Sequence, residues 1–177
     1  LYPAWKSFRI TDPKTALKSV SHPLTDGLAF QASLAGARSP HPRPSGAGFR
    51  KNRPRRWLPV LEARTPGGVW RGAPGSLYLH DGERYGQGVW AVYGIADRAF
   101  YASEAFRRHL TRVARFTRGP RLFEAGSDWY TVFPGQEITF GTRVTNPVRD
   151  VTAETSLLDA SGRAVWRRTW LGGSAGP

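Results

Sequence analysis

Gly75-Ser76-Leu77-Tyr78-Leu79-His80, then Asp81-Gly82-Glu83-Arg84-Tyr85-Gly86, then Gly88-Val89-Trp90-Ala91-Val92-Tyr93-Gly94-Ile95 is the stretch on which the fold turns. Two aromatic-rich runs flank a polar segment opening on Asp-Gly, a dipeptide that favours positive-φ turns. The pair therefore reads as two strands joined by a hairpin or a loop. Just upstream, Trp57–Arg64 is a further strand candidate. Proline has no N–H to give to a ladder, so Pro59 restricts that strand to an edge or bulged role. At the start of the chain, Trp5–Ile10 alternates in the manner of a strand. Thr11-Asp12-Pro13 then signals a turn or a helix start, leading into a short Lys-bearing helix or loop up to Val20.

Downstream the texture changes twice. Ser103–Arg118 has the marks of a helix: Ser103 as N-cap, Glu104 in the first turn, and Gly119-Pro120 as a stop. Phe106, Leu110, Val113 and Ala114 fall on one stripe that should be buried, with Arg107, Arg108, Arg112, Arg115 and Arg118 on the solvated side. From Leu122 onward the pattern is all-β. Trp129–Phe133 ends at Pro134-Gly135. Glu137–Asn146 alternates, with Ile138, Phe140 and Val144 on one face. Val151–Leu158 and Arg163–Trp170 follow, with Ser161-Gly162 turning between them. Strands at such spacing suggest a β-sandwich, but an immunoglobulin-like one needs ~100 residues and ~7 strands, more than the tail provides. The expected fold is an α/β portion over residues 1–120 followed by an incomplete β-sandwich over residues 121–177.

Residues 36–56, GARSPHPRPSGAGFRKNRPRR, carry seven cations and no acid. Their prolines and mutual repulsion predict a long extended loop. Phe49 within it and Trp57 just after it would anchor that loop onto the α/β body, with Arg50, Arg53, Arg55 and Arg56 pairing with carboxylates such as Glu62 and Glu83, or facing an acidic surface. Across the chain, Lys+Arg is 26 against Asp+Glu 13, giving a formal charge of +13 and a pI of about 11.1. All but Lys6, Lys14, Lys18 and Lys51 of those cations are arginine. Two explanations stand side by side: a fork chemistry suited to phosphate and carboxylate, or a codon bias without functional content.

Composition excludes several chemistries. Cysteine is absent, which removes disulfides, thiolate metal sites and a cysteine nucleophile. No apolar run approaches the ~20 residues of a membrane helix, so no membrane partner is expected. His22, His41, His80 and His109 show no metal-binding spacing, and no nucleotide or serine-elbow motif occurs, so no metal and no cofactor are expected. His80, Asp81 and Glu83 form the densest group of proton-transfer side chains and are the catalytic candidates, at what could equally be a charged hairpin tip. Tyr78, Tyr85 and Trp90 offer flat rings for stacking on sugars or bases. With Arg50, Arg53, Arg55 and Arg56 they are the binding candidates, although core packing explains many buried rings.

His22-Pro23-Leu24-Thr25-Asp26-Gly27-Leu28 resembles the His-Pro-(Ile/Leu)-Thr-x-Gly-Leu segment of glutamine-amidotransferase-like domains of the trehalose-utilisation type. Trp57–Ala63, Arg71-Gly72-Ala73-Pro74 and Gly88–Ile95 look like the late part of such domains in large bacterial carbohydrate-active proteins, where an immunoglobulin-like module follows, as from Phe133-Pro134-Gly135-Gln136-Glu137 here. The resemblance implies the C-terminal half of a flavodoxin-like domain whose early parallel strands are not in this chain. It further implies a dead site, because the nucleophilic cysteine is missing. On that reading the chain is a piece of a longer extracellular or periplasmic polypeptide. It would be a non-catalytic accessory or interdomain segment whose partners are the rest of that polypeptide, or another protein chain, and carbohydrate. Two other classes remain open: a nucleic-acid-associated protein gripping phosphates through the basic loop, and a glycoside hydrolase built on the carboxylates and aromatics.

Overall fold

A computed structural model describes residues 5–42, 55–81, 85–127, 133–146 and 151–172. Its elements are β1 (Trp5–Arg9), β2 (Ala16–Ser19), β3 (Arg38–Pro42), β4 (Arg55–Arg64), β5 (Trp70–His80), β6 (Val89–Tyr93), α1 (Arg98–Ala102), α2 (Glu104–Arg118), β7 (Arg121–Ser127), β8 (Phe140–Thr145), β9 (Val151–Leu158) and β10 (Ala164–Gly172). The protein is β-rich, and every strand pairing among the described residues is antiparallel. The main sheet runs β2-β4-β5-β6, and three two-stranded ribbons, β1-β3, β7-β8 and β9-β10, accompany it. None of the described helices is long and apolar enough to cross a membrane.

The hairpin at 75–95 forms as its sequence indicates, with Leu77 opposite Ala91, Tyr78 opposite Trp90 and Leu79 opposite Val89. Strand alternation sends Leu77, Leu79, Val89 and Tyr93 to one face. There they join Leu58 and Val60 of β4 and Phe100, Phe106 and Val113 of the helices in one apolar cluster. β4 reaches β5 through Thr65-Pro66-Gly67-Gly68. Gly68, at φ 80°, donates its N–H to the Thr65 carbonyl at 2.9 Å. Of the two roles expected for Pro59, the bulge is the one found: the β4–β5 register shifts between Pro59 and Leu61. β4 is not an edge strand, for among the described residues β2 pairs with Leu61–Arg64 and the Val20 N–H donates to the Val60 carbonyl at 3.0 Å.

Four expectations are corrected. The Lys-bearing segment before Val20 is a strand, β2, rather than a helix or loop, because Leu17 is needed in the core beside β4. Part of the basic loop is also a strand. β3 pairs with β1 from Arg38 to Pro42, and the Arg38 N–H points away from β1, to the Gly94 carbonyl at 2.7 Å. Pro40 and Pro42 share that outward phase, so neither owes β1 a donor. Residues 43–54, with Phe49, Arg50 and Arg53, lie outside the described residues.

The third correction concerns α2. The Ser103 Oγ caps it, accepting from the Phe106 N–H at 3.2 Å, and the helix ends at Gly119. Its buried residues are Phe106, His109 and Val113, with Phe116 packed alongside, whereas Leu110 is 41% exposed and Ala114 faces solvent. The stripe is thus rotated by one residue, because the imidazole of His109, not the Leu110 side chain, is the group with partners inside. Ahead of α2 stands a short helix, α1, that the pattern did not announce. Asp97 caps it, with Oδ1 accepting from the Ala99 N–H at 2.9 Å and Oδ2 from the Ser33 N–H at 2.8 Å. These backbone donors, Ser33 first, hold the Asp97 carboxyl below the usual carboxylate range.

Over Glu137–Asn146 the expected alternation holds at Ile138, half-buried between exposed Glu137 and Thr139, but not at the end of β8, where Thr145 is buried and Val144 only half so. Residues 128–132, most of the Trp129–Phe133 run, lie outside the described residues.

Candidate functional site

The hairpin brings four of the candidate side chains together. His80 lies 4.9 Å from Tyr85 and 5.6 Å from Trp90, ring centre to ring centre, and Tyr85 meets Trp90 edge-on at 4.9 Å. Tyr78 stands between Trp57 and Trp90 in the register. However, Tyr78 is only 2% exposed and His80 4%, so these two rings belong to the packing of β5, which is buried from Gly72 to His80. Tyr85 and Trp90 are half-buried at its rim. Asp81 pairs with Arg143 of β8 at 3.2 Å, and Glu83 lies outside the described residues. Among the basic candidates, Arg55 and Arg56 open β4 opposite His80 and Leu79. Glu62, expected to receive the loop arginines, is held by Arg64 at 2.7 Å. Among the described residues, no group of three or more His, Asp or Glu could hold a metal ion.

The His-Pro segment folds into a compact turn fastened to α2. Its His22 carbonyl accepts from the N–H groups of Thr25 and Asp26, both at 2.9 Å, and the Thr25 hydroxyl donates to the Val20 carbonyl at 2.6 Å. Gly27 closes the turn at φ 63°, where a side chain would be strained. The imidazole of His22 accepts from the Leu24 N–H through Nδ1 at 3.2 Å. From α2, Arg112 donates to the Asp26 carbonyl at 2.6 Å. His109, fully buried, contacts the Leu24 carbonyl through Nδ1 at 2.9 Å and the Tyr93 hydroxyl through Nε2 at 2.7 Å.

A carbonyl can only accept, so Nδ1 carries the proton. A neutral ring then accepts the Tyr93 O–H at Nε2. Burial pulls the His109 pKa below its ordinary value, more strongly than the Leu24 carbonyl raises it, and the nearby Arg112 acts in the same downward direction. Burial likewise lowers His22, helped by its charge repulsion with His109, and raises the Tyr93 phenol well above the tyrosine range. All three groups are therefore held neutral, as members of a scaffold.

A second constellation escaped the sequence. An open cleft of about 390 Å³ is lined by Phe8, Arg9, Ile10, Thr11, Asp12 and Arg71. Phe8 is 37% exposed, and Trp70, 41% exposed, packs against it edge-on at 6.2 Å. Arg71 Nε reaches Asp12 Oδ2 at 3.3 Å, while Asp12 Oδ1 accepts from the Lys14 N–H at 3.0 Å. Beside the cleft the β1-β3 ribbon approaches β5 of the main sheet closely. A Cβ on Gly72, at φ 141°, would stand 2.8 Å from that of Ser39, whose hydroxyl accepts the Ala73 N–H at 2.8 Å. The available signal was Val69-Trp70-Arg71 directly after the Gly67-Gly68 turn, where large side chains have few neighbours to cover them.

No protein-family model matches the chain, no curated protein matches it, and no solved structure matches it.

Proposed function

We propose that the chain is a non-catalytic accessory segment of a larger extracellular or periplasmic carbohydrate-active bacterial protein, built on the late part of an amidotransferase-like α/β domain and the start of an immunoglobulin-like module. The observation that carries this reading is the use made of the His-Pro segment. The Nδ1 of His22 and the Thr25 hydroxyl are spent on the segment's own turn, and the imidazole of His109 has both ring nitrogens engaged in holding the turn to α2 and β6. A motif kept as masonry, in a chain without cysteine, fits a domain that keeps its architecture without the reaction. The β7-β8 and β9-β10 ribbons are antiparallel, as sandwich strands are.

The test is retardation of the purified chain in native gels containing neutral polysaccharides, with reducing ends measured in parallel. Retardation without release of reducing ends is the expected result. Release of reducing ends would make the protein a hydrolase and overturn the reading. The exposed arginines of α2, Arg108, Arg115 and Arg118, favour nucleic acid as the second reading. It predicts retardation by DNA or RNA alone, with a log–log salt slope of about −0.9 per phosphate contact on duplex DNA.

A further inference from the structure

From the cleft between β1 and the start of β5, we infer a binding site for a neutral pyranose that presents a vicinal diol, with Phe8 and Trp70 as the stacking surface and Asp12 with Arg71 as the diol clamp. The inference rests on the accessory reading above and names the ligand class and the residues.

Three features of the cleft point the same way. First, two large rings, Phe8 of the lining and Trp70 packed edge-on beside it, each stand more than a third exposed. A ring face of this kind suits the C–H face of a sugar, which is apolar on one side and rimmed by hydroxyls. Second, the Asp12–Arg71 pair joins a half-buried carboxylate to an exposed guanidinium at the surface of the cleft, where an ion pair adds only modestly to stability. Its chemistry is complementary to a diol: each hydroxyl both donates and accepts, so one oxygen pair can give protons to the carboxylate and take them from the guanidinium fork. Third, Asp12 is pre-set. The Lys14 N–H holds Oδ1, which leaves Oδ2 turned toward Arg71. The Asp12 carboxylate can only accept, so it favours a ligand that brings hydroxyl donors into the cleft. Thr11 adds a further hydroxyl to the lining.

The experiment is native gel retardation of the whole chain in neutral β-glucan, xylan and galactomannan, together with the same polymers after periodate oxidation and borohydride reduction, which destroys vicinal diols. The wild-type chain should be retarded by at least one native polymer and not by its oxidised form. Trp70→Ala, Asp12→Asn and Arg71→Gln should each weaken retardation about tenfold, as loss of an anchor does in other interfaces. Trp70 and Arg71 lie at exposed positions and Asp12 at a half-buried one, and unchanged urea midpoints would show that the variants fold. Trp166→Ala, on the remote β10 strand, should leave retardation unchanged. Wild-type retardation that survives all three cleft substitutions, or that persists on the oxidised polymer, overturns the site while leaving the accessory reading standing. Absence of wild-type retardation on every polymer overturns both.

Discussion

Replacing His109 by alanine tests whether the His-Pro segment is structural. The substitution removes the only partner shown for the Tyr93 hydroxyl and the α2 contact of the Leu24 carbonyl. An orphaned buried polar group costs about 1–3 kcal/mol. The Leu24 site is buried and the Tyr93 hydroxyl half-buried, so the two together come to roughly 2–4 kcal/mol. The imidazole also packs edge-on against Phe30 at 5.6 Å and Tyr93 at 5.7 Å. Losing such a ring adds about 1–2 kcal/mol where neighbours close in only partly. These effects overlap, so the expected loss is about 3–5 kcal/mol, a large part of a domain's usual 5–15 kcal/mol.

Urea unfolding, followed by tryptophan fluorescence, reads the midpoint and the slope. A loss under about 1 kcal/mol with an unchanged slope would refute the structural reading of the segment. Tyr93→Phe gives a milder version should the alanine variant not fold. It removes the phenol from His109 Nε2 and should cost about 1 kcal/mol. Nitrogen NMR of His109 in the wild type should show the proton on Nδ1.

Acid should destabilise the protein through the same junction. His22 and His109 are both lowered from the ordinary histidine value, so the unfolded chain takes up protons at a pH where the folded one does not. Stability is therefore complete above about pH 6.5 and falls below it, by up to about 1.4 kcal/mol per pH unit for each histidine, and a flat urea midpoint from neutrality down to about pH 5 would contradict this. Ser103→Ala should lower stability by about 1 kcal/mol in the same assay, through the lost cap on Phe106 N–H. Gly94→Ala should be far more damaging, because its new Cβ would run into the Arg38 carbonyl; broadened amide signals across β3 and β6 are the expected signature. Arg121→Lys should cost about 1–3 kcal/mol, since an ammonium cannot span the Thr117 and Gln87 carbonyls that the guanidinium reaches at 2.6 Å each.

What was legible in the sequence follows from where the partners lie. The 75–95 hairpin, α2 and the β9-β10 ribbon were readable because their signals are local: alternation, a cap, a turn. β2 was not, because Ala16-Leu17-Lys18-Ser19 has no strand character of its own and becomes a strand by pairing with Leu61–Arg64. The burial phase of α2 was misplaced for a related reason. Hydropathy prefers Leu110 over His109, but His109 has its hydrogen-bond partner 85 residues away in Leu24. At the cleft, Asp12 and Arg71 are likewise far apart in sequence, and Trp70 sits outside any periodic run. Tyr78 shows the converse. Its place in an aromatic hairpin was correctly read, but a ring on an inner strand of the four-stranded sheet has Trp57 and Trp90 beside it, a property of the sheet and not of the residue.

The arginine bias, left open between partner chemistry and codon usage, gains a third explanation from these contacts. Arg112 docks on the Asp26 carbonyl and Arg121 spans two carbonyls. Arg38 donates to Ser7, and Arg64 joins Glu62 to the Gly68 carbonyl. Each uses a planar fork with several donors to tie segments distant in sequence, or to close a turn, which a single ammonium does less well. Arg121 does this almost completely buried, at the point where α2 gives way to β7. Asn146 completes the seam there, donating through Nδ2 to the Arg118 carbonyl at 2.8 Å and through its N–H to Gln87 Oε1 at 2.7 Å. The boundary expected at 120/121 is therefore crossed by hydrogen bonds in which Arg121 and Asn146 are the donors. Codon bias can supply arginines, but it does not choose which carbonyls they reach. The positions that reach two at once are those where lysine would fail, and they are set by the fold. The net charge of +13 is then in part a by-product of tying distant segments of a β-rich chain together by guanidinium forks, and only the arginines outside that role remain for an acidic partner.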